Sequence, residues 1–150
     1  MISKNELTMG REKQFPESYT KEVDGNLNVL LEKINIVRSK YGKPMIVSSG
    51  WRSPEVNAAT PNAAKMSKHL SGLAVDIYDK DCKLWNWCME NLELMQELGL
   101  YLEDKRHTVS WLHFQIGAPK SGKRIFKPST APYVDASLWS GQYDTKFDKA

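Results

Sequence analysis

The sequence predicts an α+β fold, in which a small and mostly antiparallel sheet is flanked by helices. Apolar residues recur with helical spacing in two segments, 27–37 and 82–98. Short apolar or alternating runs predict strands at 45–49, 73–78, 100–103 and 111–116. Helices and strands do not alternate regularly, as they would in a parallel sheet of βαβ units, and this favours the antiparallel arrangement.

The first long helix is expected to begin at Asp24 or Asn26, either of which can cap it, and to end at Gly42. Its predicted buried face consists of Leu27, Leu30, Leu31, Ile34 and Val37. Residues 1–25 are polar and weakly periodic, so no regular element is predicted there.

A shorter helix is predicted after the strand at 45–49. Ser53 is expected to be its N-cap and Pro54 its first helical residue, because proline is tolerated in the first turn. Pro61 is expected to end it.

Length and composition indicate an ordinary globular protein. The chain has 150 residues, of which 41% are hydrophobic and 26% charged. One domain is predicted over 1–150, with a core at about 26–117 and an extension at 118–150 that packs on it or docks to a partner. The formal net charge of +3 is too small to indicate binding to nucleic acid.

No apolar run approaches the roughly 20 residues that span a membrane. The first residues, MISKNELTMGREKQF, contain no apolar signal-peptide core. The protein is therefore expected to be made in the cytoplasm, and any function outside the cell would require delivery by another component.

The two cysteines, Cys82 and Cys88, could be combined with His107 and His113 into a zinc finger. On the helix predicted over 82–98, however, positions 82 and 88 point about 120° apart. Cys88 shares the apolar face with Leu84, which favours a buried, reduced thiol over a metal ligand.

The segment GAPKSGKR, which begins at Gly117, resembles a phosphate-binding loop and follows a predicted strand. Such a loop needs Ser or Thr after its lysine, and here Arg124 follows Lys123. Pro128 also opposes the helix that should follow. No nucleotide site is predicted, and four basic residues are expected to form a solvated surface or to contact an anionic polymer: Lys120, Lys123, Arg124 and Lys127.

Three predicted strands each place one potential metal ligand on the face opposite their apolar residues. In LAVDIY, WLHFQI and LYLE these ligands are Asp76, His113 and Glu103, because side chains alternate between the two faces of a strand. If the strands share one sheet, the three groups converge. His69 precedes the first of these strands, and Gly72 permits a tight turn that folds its imidazole over the same face.

Two imidazoles, one carboxylate and an open position form a catalytic zinc site. A further carboxylate that does not bind the metal can take a proton from the bound water. Each residue also has an ordinary interpretation: a hydrogen-bonded strand histidine, a turn aspartate or a solvated glutamate. The shared face favours the metal site, because unrelated residues need not share it.

Three segments resemble the zinc D-Ala-D-Ala carboxypeptidase family, which includes phage L-alanyl-D-glutamate endolysins and shares its fold with the hedgehog signalling domain. The pattern S-x-H-x-x-G-x-A-x-D at 67–76 is similar to the family signature. Upstream, VSSGWRSPEVNAA resembles the family's SGxRxxxxN segment, and downstream WLHFQ resembles its second histidine strand. The resemblance covers about residues 26–117.

The resemblance implies a hedgehog/DD-peptidase-like fold with zinc on His69, Asp76 and His113. It implies that Arg52 reaches the substrate as a catalytic or binding group, that Ser67 lines the site, and that Trp111, beside the second histidine, contacts substrate. The implied function is hydrolysis of peptidoglycan stem peptides, by a carboxypeptidase or by an endopeptidase of endolysin type. The alternative is a non-catalytic virion or cell-wall-binding module that retains the fold.

One departure from the family concerns the catalytic acid. Many members carry it three residues before the last histidine, where this chain has Ser110. Glu103 is the expected substitute, since a hairpin of the strands at 100–103 and 111–116 would bring it near His113. Asp104 is expected to point away, residues 104–106 to form an exposed turn, and His107 to be either solvated or a stabiliser of the oxyanion.

The residues do not determine which bond is cut: D-Ala-D-Ala, L-Ala-D-Glu and cross-link bonds all remain open. A bacteriophage origin fits the resemblance. Delivery to the wall would then use the phage lysis machinery or the virion.

Overall fold

The computed structural model describes residues 1–128 and 147–148. The helices in this part are α1 (Lys4–Thr8), α2 (Arg11–Gln14), α3 (Lys21–Tyr41), α4 (Pro54–Ala59), α5 (Lys83–Met89) and α6 (Leu92–Leu98). The strands are β1 (Val47–Ser49), β2 (Ala74–Tyr78), β3 (Leu100–Glu103), β4 (Trp111–Ile116) and β5 (Ile125–Phe126). Much of the predicted extension, at 129–146 and 149–150, lies outside the described residues.

The strands form one sheet in the order β1-β2-β4-β3-β5. The pairs β1–β2, β2–β4 and β3–β4 are antiparallel, and only β3–β5 is parallel. The predicted α+β class with a mostly antiparallel sheet is confirmed. None of the helices within the described ranges is long and apolar enough to cross a membrane.

Helix α3 supplies much of the core that covers one face of the sheet. Four of its five predicted core residues are fully buried, and Leu31 is partly buried against them. The predicted start at Asp24 or Asn26 is wrong, because the Thr20 side chain caps the helix by accepting the backbone N–H of Val23 at 3.2 Å. Asp24 instead lies in the first turn, where a negative charge is favourable.

The N-terminal residues form two short helices that weak periodicity did not predict. The first, α1, begins with a capping box in which Ser3 and Glu6 satisfy each other's backbone N–H groups. Leu7 of this helix is fully buried, and its carbonyl accepts the backbone N–H of Trp51 at 2.8 Å. Residues 1–25 therefore pack onto the segment that leads into the candidate site.

The single helix predicted over 82–98 is wrong, because the chain forms α5 and α6 with a break at Asn91. The backbone of Asn91 is not helical (φ −129°, ψ 37°), and its side-chain amide donates to the carbonyl of Trp87 at 2.8 Å. Asparagine competes in this way with helical hydrogen bonding. Cys88 is buried and reduced, as predicted.

Two basic residues predicted at the surface are buried. Lys105 begins a 3-10 turn (Lys105–His107) and donates from Nζ to the carbonyls of Asp79 and Trp111, at 2.7 and 2.9 Å. Arg124 donates to the Leu100 carbonyl at 2.9 Å, and its guanidinium lies 4.0 Å from the Tyr101 ring centroid. Both expectations were wrong because backbone carbonyls from distant segments satisfy these charges. The confirmed α4, by contrast, begins at Pro54 with Ser53 as its cap.

Candidate metal centre

The candidate centre is built on the pair of strands β2 and β4. Their register places Asp76 directly opposite His113, and Asp76 Oδ1 lies 2.9 Å from His113 Nδ1. His69, which precedes β2, brings its Nε2 to 3.3 Å from the same oxygen. One ligand atom from each of the three residues lies within 4.8 Å of the others, and all three residues are buried.

His69 reaches the sheet from a tight loop. Its Nδ1 donates to the Gly50 carbonyl at 2.8 Å, which directs Nε2 at Asp76. The loop needs Gly72, whose φ is +78° and whose Cβ, if present, would lie 2.8 Å from the Val23 carbonyl oxygen. Ser67 accepts the backbone N–H of His69 at 3.2 Å, so it supports the loop.

The orientation of His113 depends on Gln115, to which the sequence analysis gave no role. The Gln115 amide nitrogen donates to the Gly117 carbonyl at 2.9 Å, so its oxygen faces His113 Nε2, also at 2.9 Å. An amide oxygen can only accept, and therefore His113 Nε2 carries a proton. The only signal for Gln115 in the sequence was its position on the same strand face as His113.

The ionisable groups of the buried cluster stabilise one another's charged forms. Burial by itself would raise the pKa of Asp76, but the neighbouring His69 and His113 hold that pKa well below its usual range. Burial would likewise lower the pKa of His113, yet Glu103 and Asp76 raise it to about 9. The metal-free cluster thus keeps a proton on His113 Nδ1, at an atom where a cation would bind.

The donor set fits zinc. Two neutral imidazoles and a carboxylate are the ligands that catalytic zinc sites use, and each histidine has its second nitrogen tied to a fixed acceptor. The residues that would hold the ion are His69 through Nε2, Asp76, and His113 through Nδ1.

Glu103 lies beside the cluster without joining it. The β3–β4 register pairs Leu102 with Phe114, so Glu103 is level with His113, and Glu103 Oε1 lies 3.8 Å from His113 Nε2. Its side chain is 18% exposed, more than either partner in the Asp76–His113 pair.

The residues after Glu103 have structural contacts instead. Asp104 forms an ion pair with Arg106 at 2.6 Å and caps the 3-10 turn. His107 is buried at 3% exposure, so the solvated loop histidine expected from the sequence is wrong.

Arg52 borders the cluster on another side. Its guanidinium contacts Asp76 Oδ2 at 3.5 Å, Ser49 Oγ at 3.2 Å and Asn57 Oδ1 at 3.4 Å. Burial lowers the pKa of Arg52, while Asp76 and Glu103 raise it. Trp111 lies two residues before His113 on the same strand face and is 36% exposed.

A comparison with protein-family models matches residues 3–108 to the peptidase M15 family. The chain belongs to the peptidase M15 family. Peptidases of this family are in general zinc-dependent. The matched segment contains His69, Asp76 and Glu103, whereas His113 lies beyond it and is brought to the centre by the β2–β4 pairing.

No curated protein and no solved structure matches this M15 chain significantly.

Proposed function

We propose that this protein is a zinc-dependent peptidase that hydrolyses the stem peptides of peptidoglycan. The observation that carries the proposal is the buried His69–Asp76–His113 cluster with a non-ligating carboxylate, Glu103, at its edge. When bound, zinc would act as a Lewis acid that lowers the pKa of a coordinated water and polarises the carbonyl of the scissile peptide bond.

Glu103 is the proposed general base and acid. Its carboxylate lies at the edge of the cluster and is partly exposed, so it can accept a proton from water there and pass it to the leaving amine. The Gly50 carbonyl and the Gln115 side-chain oxygen fix the imidazoles of His69 and His113 as ligands. The proposed proton transfer therefore uses Glu103 and not a ligand.

Arg52 is proposed to have two roles. Its contact with Asp76 Oδ2 holds the carboxylate in place, and its positive charge favours a substrate carboxylate or carbonyl at the same edge. Ser67 is proposed to line the site through the His69 loop, and Trp111 to contact the substrate.

The test measures peptide-bond hydrolysis in purified peptidoglycan as newly exposed amino groups. The zinc-loaded wild type is expected to release them, and Glu103→Gln to lose at least about a hundredfold in rate while it keeps stoichiometric zinc. Glu97→Gln, an exposed glutamate on α6, is the matched control and should behave as wild type.

The outcomes separate the parts of the proposal. A wild type that binds zinc stoichiometrically and exposes no amino groups favours the non-catalytic wall-binding module. Full activity in Glu103→Gln removes Glu103 from the mechanism. Unchanged zinc content in His69→Ala removes the metal centre itself.

A further inference from the structure

Three large apolar side chains form a row on the sheet face that carries the candidate centre. Ile46, Tyr78 and Trp111 are 62%, 60% and 36% exposed. Tyr78 pairs directly with Trp111 across β2 and β4, and its backbone N–H donates to the Ile46 carbonyl at 2.9 Å. Val47 packs against the core, so alternation places Ile46 on the opposite face, beside Tyr78. We call this set the apolar row.

The apolar row runs parallel to the catalytic residues. Tyr78 and Trp111 each lie two positions along the strand from Asp76 and His113, respectively, on the same face. Two residues of a strand span about 7 Å. A ligand that lies on the apolar row is therefore within reach of the candidate centre.

The opposite side of the centre on this face is closed. There the register aligns Ala74, Gln115 and Tyr101, which are all at most 7% exposed, and Arg124 covers the Tyr101 ring. Of the two rows that flank the centre along these strands, the apolar row is therefore the one whose side chains a ligand can contact.

From this asymmetry we infer that the apolar row is a subsite for a sugar ring of the glycan strand that carries the stem peptide. The inference rests on the proposed function. The C–H face of a pyranose packs on aromatic rings, while the Tyr78 hydroxyl and the Trp111 N–H remain available for hydrogen bonds to its hydroxyl groups. Stem-peptide residues are small or charged, so they offer little apolar surface to such a row.

The position of the row has a consequence for the bond that is cut. A peptide in extended conformation rises about 3.3 Å per residue, so about two residues separate the sugar from the centre. This spacing favours cleavage near the glycan, as at an L-Ala-D-Glu bond, over cleavage at the distal D-Ala-D-Ala end.

The experiment compares a disaccharide-tetrapeptide with the same tetrapeptide free of sugar, by kcat/KM, in the zinc-loaded protein. The wild type is expected to prefer the sugar-linked substrate about tenfold or more. Tyr78→Ala and Trp111→Ala should reduce this preference toward one. Val29→Ala, an exposed apolar residue on α3, is the matched control and should retain it. An unchanged preference in both row variants overturns the inference.

A second measurement does not depend on activity. The disaccharide without peptide is titrated into the Glu103→Gln protein, and the indole and backbone N–H signals are followed by NMR. Shifts at Tyr78 and Trp111 that Tyr78→Ala abolishes support the subsite even if no peptide is cut, in which case only the proposed function fails. The absence of shifts overturns the subsite, as does a wild-type dimer that Trp111→Ala dissociates, since the row would then join two copies.

Discussion

Asp76 and His113 face each other across β2 and β4, and one carboxylate oxygen of Asp76 lies 2.9 Å from Nδ1 of His113. In the metal-free protein this contact is an ion pair, because the pKa of His113 is raised to about 9 from an ordinary 6.5. A zinc ion would take the place of the Nδ1 proton, and zinc binding would therefore release a proton.

The stability of the metal-free protein should consequently fall at high pH. The raised pKa of His113 contributes unfolding free energy that is complete below about pH 6.5 and is lost as the pH rises through about 9. The contribution lost over this range is at most about 3 kcal/mol. Urea unfolding in the presence of a chelator, at about pH 6 and pH 9.5, measures it. His113→Gln should flatten this pH dependence, and an equal slope in the variant would contradict the assignment.

Gln115 should contribute to zinc affinity although it does not reach the ion. Gln115→Leu removes the acceptor of the His113 Nε2 proton, so the imidazole can rotate or change tautomer, and zinc affinity should fall about 10- to 100-fold. Chelator competition measures the affinity, and histidine ¹⁵N shifts report the tautomer. Gln115→Glu keeps an acceptor and should recover part of the affinity. A tautomer that stays the same in Gln115→Leu would contradict the role.

Lys105 should be a main contributor to the stability of the β3–β4 connection. Its buried Nζ bonds two backbone carbonyls and lies 3.7 Å from the carboxylate of Asp79, which itself accepts two N–H groups at the start of α5. Lys105→Met leaves these acceptors and the buried carboxylate without their cation, and should cost about 3 kcal/mol of unfolding free energy. Lys80→Met, at an exposed position, should change it by less than about 0.5 kcal/mol. If Lys105→Met lowers the unfolding free energy by no more than the Lys80→Met control does, water must replace the ammonium group as the hydrogen-bond donor.

Two glycines should respond to alanine in opposite directions. A Cβ at Gly50 would overlap the Leu7 carbonyl, so Gly50→Ala must displace either α1 or the carbonyl that anchors His69, at a cost of about 3 kcal/mol. Gly25 lies within α3 with open space around it, and Gly25→Ala should stabilise the protein by about 0.8 kcal/mol. Thermal unfolding of both variants tests this. Equal changes in unfolding temperature for the two variants would indicate that α1 shifts to make room for the Cβ without a loss of stability. Zinc affinity should fall in Gly50→Ala only.

The sequence by itself determined the features that depend on local alternation and periodicity. Strand alternation was sufficient to place Asp76, His113 and Glu103 each on the face of its own strand opposite the apolar residues, and helical spacing identified the buried side of α3. Local motifs also located the α4 cap and the buried thiol of Cys88. Each of these features involves residues that lie within a few positions of one another in the chain.

The tertiary structure decided whatever depends on contacts between distant segments. Three contacts join residues that are 19 or more positions apart: Asp76 with His113, the Gly50 carbonyl with His69, and the Asp79 carbonyl with Lys105. No local pattern encodes such distances, because chain folding alone brings those groups together. The same reason explains why the open side of the centre became visible only in the folded molecule. Gln115 lies only two residues from both His113 and Gly117, and there the folded structure supplied the orientation of its amide group.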